Sequence, residues 1–94
     1  MNEIEILFLE KAIIRGGTLI FSKQDTLDFI EQCRLFEIRI LGIDGFFITE
    51  TTTQPSMENS VNYSSYPPNK NIYDSALEFV AKKDDNLFFE IVCG

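Results

Sequence analysis

One carboxylate interrupts the most apolar stretch of the chain: Asp44, in "RILGIDGFFITETTTQP" (39–55), between Gly42 and Gly45. Three roles are open to it. Beside Gly45 it suits a tight turn. Exposed at a strand end, it would pair with an Arg or Lys of a partner. Acid–base work would need a second group, and the chain contains no histidine, which removes the commonest general base and metal ligand. Ser–His–Asp and Cys–His catalysis are therefore excluded within this chain. Cys33 and Cys93 form no C-x-x-C pair, so zinc is not signalled, and both are expected as free thiols in a reducing cytoplasm, Cys33 as a small buried one. Asp84–Asp85 is not followed by further ligands at EF-hand spacing and reads as a turn. Gly16–Gly17 is too short for a phosphate loop and reads as a helix terminator. No catalytic, metal-binding or cofactor-binding set emerges. Tyr63 and Tyr66, in a polar stretch, either fold onto the body or wait for a partner, tyrosine being a frequent interface anchor.

The charge balance bears on partners. Fifteen acidic against eight basic residues give a net charge of −7, which repels phosphate and disfavours nucleic acid. The same field speeds encounter with a basic protein, and it also serves plain solubility. Ninety-four residues suit one domain, 1–94, with a modest core. No apolar run approaches the ~20 residues of a membrane span, and "MNEIEILFLEK" is acidic where a secretory signal would be basic. A cytoplasmic, membrane-free protein is expected.

The elements that must position these residues follow from periodicity. "NEIEILFLEKAIIRGG" fits two templates, since Ile4, Ile6 and Phe8 alternate while Ile4, Leu7, Phe8 and Ala12 share a helical face. A cap at Asn2, acids at Glu3 and Glu5, bases at Lys11 and Arg15 and a stop at Gly16 predict a helix. "TLIF" (18–21) predicts a strand. "SKQDTLDFIEQCRLF" predicts a helix capped by Ser22 or Asp25, with Leu27, Ile30 and Cys33 inward. "EIRILGIDGFFIT" is β-rich, and local sequence favours a hairpin turn at Asp44–Gly45 over a strand that runs on and leaves Asp44 near its carboxyl end. Residues 49–71 predict a long polar loop. Tyr73, Ala76, Leu77, Val80 and Ala81 predict a helix, and "LFFEIV" (87–92) a strand covered on both faces. The sum is an α/β or α+β domain: a single-layer sheet of three to four strands packed by about three helices, with parallel pairing across the strand–helix–strand connections.

"FLEKAII", "DTLDFIEQC", "IRILGIDGFF", "NSVNYSSY" and "SALEFVAKKDDNLFFEIV", in this order over Phe8–Val92, resemble the small immunity proteins of bacterial polymorphic toxin and contact-dependent inhibition systems, in particular the immunity protein 40 group. Ile40, Leu41, Gly42 and Asp44 match that group's I-L-G-x-D core, while Asn62–Tyr63 stands where an asparagine–tryptophan pair is expected. The resemblance implies a cytoplasmic binding protein, not an enzyme, that neutralises a cognate toxin domain. Such toxins are often nucleases with basic clefts. It makes Asp44 a candidate anchor, with Glu50, Glu58, Tyr63 and Tyr66 extending the contact face. The rival readings are a small enzyme, which lacks a nucleophile–base pair, and a structural or regulatory subunit acting through homo-oligomerisation at a sheet edge.

Overall fold

The chain first reverses at Gly16 and Gly17, whose φ values of 58° and 82° lie in the left-handed region. Two successive positive φ angles make a two-residue turn that matches strand twist, so these glycines join β1 (Ile13–Arg15) to β2 (Thr18–Ser22) and do not end a helix. The helix expected through residue 15 is α1, Glu3–Leu7, followed by a 3-10 turn at Leu9–Lys11. Its start follows the sequence: Asn2 Oδ1 accepts from Glu5 N and Glu5 Oε1 accepts from Asn2 N, both at 2.8 Å. It stops early because Ile13 and Ile14 are β-branched and gain more by pairing with Ile20 and Leu19. The computed structural model describes residues 1–67 and 71–94.

Helix α2, Lys23–Leu35, is capped by Ser22, whose Oγ accepts from Asp25 N at 3.3 Å. Its inward stripe is Thr26, Phe29, Ile30 and Cys33, with Leu27 only half-buried. Buried Thr26 is satisfied by donating to the Ser22 carbonyl at 2.7 Å. The helix ends in a Schellman motif: Ile38 N donates to Cys33 O at 2.9 Å and Glu37 N to Arg34 O at 3.3 Å. Glu37 occupies the left-handed position of that motif, with φ 55°.

Beyond it, β3 (Ile40–Ile48), β4 (Thr53–Asn62), α3 (Ile72–Ala81) and β5 (Phe88–Cys93) complete an α+β domain with three α-helices among the described residues. The sheet has five strands, not three to four, in the order β1-β2-β5-β3-β4. Every neighbouring pair is antiparallel. The expected parallel pairing is absent because each crossover is split: β2 and β3 run the same way with β5 between them, and β4 and β5 have β3 between them.

Asp44–Gly45 forms no turn. The strand runs through it, and the chain reverses at Thr49–Thr52, where Thr49 N donates to Thr52 O at 3.0 Å. The stretch expected as a loop, 49–71, therefore contains β4; its positions 68–70 lie outside the described residues. The Asp84–Asn86 turn forms as expected, and Leu87 N donates to Asp84 O at 3.2 Å.

The helices cover one sheet face. Phe8, Phe21 and Phe29 meet there with ring centroids 5.3–6.1 Å apart, contacts worth about 0.5–1.5 kcal/mol each beyond area burial. Ile4, Ile30, Ile43, Val80 and Phe89 fill the same core. On the other face Ile20 is 1 % exposed although it lies outside that core cluster. Alternation puts Phe88 and its partner Phe46 on this second face. Arg15 donates across to the β3–β4 hairpin, 2.9 Å to Thr49 O and 3.1 Å to Thr53 Oγ1. The first hairpin is thereby tied to the second, and the sheet curls.

Candidate interaction surface

Asp44 sits in the interior of β3, opposite Glu90 of β5. The neighbouring pair Ile43–Ile91 is buried under the helices, so the pleat directs Asp44 and Glu90 to the opposite face. Both are half-buried. Burial first, and then the charge of Asp44, push the Glu90 carboxyl above the usual carboxylate range. Asp44 is therefore neither a turn residue nor a strand-end residue, but half of a cross-strand acid pair.

Next to it, β4 departs from regular pairing. Gly45 faces Ser56 while Ile43 faces Val61, so the step from 43 to 45 on β3 spans 56 to 61 on β4. Residues 57–60 bulge outward. Three hydrogen bonds hold the bulge: Gly45 N to Ser60 Oγ at 3.1 Å, Ser60 Oγ to Ser56 O at 2.7 Å, and Asn59 Nδ2 to Ser56 Oγ at 2.9 Å. Gly45 is required for approach, since a Cβ there would collide with the Asn59 carbonyl and sit 2.8 Å from its Cβ. The bulge pushes Met57 out to 87 % exposure, with Glu58 exposed beside it. The Glu58 carbonyl accepts from Lys83 Nζ at 3.4 Å.

Tyr63 is core, not contact surface. It is 3 % exposed, and its backbone N donates to Leu41 O at 2.7 Å. Burial, and secondarily Tyr66, push its hydroxyl up to about 12. Tyr66, 38 % exposed, stacks edge-on against it at 5.3 Å. Both rings line a groove of about 390 Å³ with Glu37, Arg39, Ile40 and Tyr73. Glu50 is exposed in the β3–β4 turn. The five expected residues thus all belong to the β3–β4 hairpin and its flank, but not to one patch: Glu50 marks one end, Tyr66 the other, Glu58 the outer edge and Asp44 the open face.

Two members of this region escaped the sequence reading. Glu90 lies in a run taken as apolar on both sides, yet its place between buried Phe89 and Ile91 is itself a period-2 signal for the open face. Met57 carried no signal, because its exposure depends on the bulge.

Among the described residues no group of three His, Cys, Asp or Glu side chains could hold a metal ion, and no helix is long and apolar enough to cross a membrane. Compared with protein-family models and with curated proteins, the chain matches none.

Proposed function

We propose that this chain is a cytoplasmic immunity protein that binds and neutralises a cognate toxin domain by protein–protein contact, without turnover. The observation that carries the reading is the outer edge of the β3–β4 hairpin, where the bulge displays Met57 beside Glu58 and the turn displays Glu50. An exposed apolar side chain beside a carboxylate, on a chain of net charge −7, suits a basic partner surface: the charge accelerates encounter and the apolar group holds the complex. A nuclease with a basic cleft has that complementarity. Asp44 and Tyr66 flank the edge and extend the contact.

The rival reading, a subunit that oligomerises through a sheet edge, meets an obstacle in β4 itself. Pro55 and the bulge at 57–60 interrupt the row of backbone groups that edge-to-edge pairing needs.

The test is co-expression with the terminal toxin-sized domain, ~100–150 residues, encoded by the adjacent upstream gene. Growth arrest relieved by this chain, and lost again with Glu58→Lys but not with Asp28→Lys on α2, is the expected outcome. Rescue that survives Glu50→Lys, Met57→Ala and Glu58→Lys together would place the contact elsewhere. Toxicity without rescue by the wild-type chain would sink the immunity reading, and a mass that rises with concentration would favour the subunit.

A further inference from the structure

Cys33 and Cys93 are 60 positions apart in sequence, yet the fold brings them together. Cys33 is fully buried on the inner face of α2 and belongs to the core cluster. Cys93 ends β5, pairs with Ile40 and packs against that cluster while keeping part of its surface exposed. Both are free thiols, and the backbone brings their positions together: Ile38, whose N donates to Cys33 O, lies two residues before Ile40, the strand partner of Cys93, and α2 packs on β5. The backbone around them is fixed on each side, by Ile38 N donating to Cys33 O and by Gly94 N donating to Arg39 O, both at 2.9 Å.

We propose that Cys33 and Cys93 form a reversible modification site, a dithiol that small disulfide oxidants convert to an internal disulfide clamping α2 to β5. Partial exposure makes Cys93 the entry point, and burial makes Cys33 the resolving thiol. Donation by Cys33 draws the Cys93 thiol down, while that donation and then burial push the Cys33 thiol up. The division of labour by accessibility and by acidity therefore agrees. In the first step the Cys93 thiolate attacks one sulfur of glutathione disulfide, forming a mixed disulfide and releasing one glutathione thiolate. In the second, Cys33 loses its proton, attacks the Cys93 sulfur and releases the second glutathione. Two protein thiols are oxidised, one external disulfide is reduced to two thiols, and the balance closes.

The experiment is intact-mass spectrometry of the reduced full chain after exposure to excess glutathione disulfide, with thermal melts of the same samples. Expected is a monomer lighter by about 2 Da that regains its mass with a phosphine reductant, and a Tm higher by roughly 10 °C, since the bridge closes a long loop. Cys33→Ser should stop at the mixed disulfide on Cys93, about 305 Da heavier, and Cys93→Ser should take no adduct while folded. A wild-type chain that keeps the glutathione adduct without losing it to Cys33 would overturn the proposal. So would a cross-linked dimer, or an unchanged mass under conditions that oxidise the urea-unfolded chain.

Discussion

Asp44 and Glu90 face each other directly across β3 and β5, two carboxyl groups in register on the open face of the sheet. Like charges opposite each other destabilise a strand pair, and burial first, then the Asp44 charge, make Glu90 hold its proton to higher pH than usual. Because the folded-state value is raised above the unfolded one, its contribution is fully present below the unfolded value and is lost as pH rises through the folded one. Glu90→Gln should therefore stabilise the protein at neutral pH by about 0.2–1 kcal/mol, and the gain should shrink as the pH falls through the raised value and the wild-type group takes up its proton. Urea unfolding of both proteins across the acid-to-neutral range reads this out. A wild-type-to-variant difference that does not change with pH would remove the argument.

Glu37 closes α2 in a left-handed conformation that favours glycine. Its Schellman bonds are already formed by the backbone, so the side chain adds strain without adding a cap. Glu37→Gly is expected to stabilise by about 0.5–1 kcal/mol, the left-handed strain relieved less the extra entropy of the unfolded glycine. Thermal melts with the Tm rising by about 4–8 °C per kcal/mol would show it. A fall in Tm would mean that the carboxylate does structural work at the groove it lines.

Gly17 and Gly45 should both resist substitution, for different reasons. An added Cβ at Gly17 meets nothing within 4 Å, so Gly17→Ala costs only its positive φ, about 1–2 kcal/mol. At Gly45 the new atom collides with Asn59, so Gly45→Ala should displace the bulge as well as destabilise by about 1–3 kcal/mol. Amide exchange at residues 57–60 separates the two: faster in the Gly45 variant, unchanged in the Gly17 variant.

Losing the Ser22 hydroxyl should weaken α2 from its first turn. Ser22→Ala leaves Asp25 N without its acceptor, a loss of about 1 kcal/mol by chemical denaturation. Ser22→Asp, which restores an acceptor at a helix N-terminus, should recover most of it. An alanine variant as stable as wild type would show that water replaces the cap.

How much of this was legible depended on whether an element buries one face. α3 was readable because Ala76 and Val80 repeat toward one core, and β5 because of its apolar run, although the alternation of buried Phe89 and Ile91 about Glu90 shows that only one face is core. β4 was not: "TQPSMENSVN" is an edge strand with a bulge, so no period-2 pattern survives. At Gly16–Gly17 the helix signals of Asn2 and Glu5 were real but served only residues 3–7. At Asp44–Gly45 the local turn preference lost to pairing with strands on both sides, and the glycine serves close packing against Asn59 instead. Of the expected contact residues, Tyr63 could not be told from Tyr66 without knowing that its backbone bonds to Leu41.

The position of β5 between β2 and β3 has a consequence for how the chain is made. Until residues 88–93 emerge from the ribosome, the two N-terminal hairpins have no common partner, and a slot between them stays open. Phe21 waits for Phe89, and Ile43 for Ile91. Folding must therefore wait for residues 88–93 and is slowed, since its decisive contacts join distant parts of the chain. A nascent form would expose two unpaired strand margins that holdase chaperones recognise, and a free peptide spanning β5 should compete for the slot.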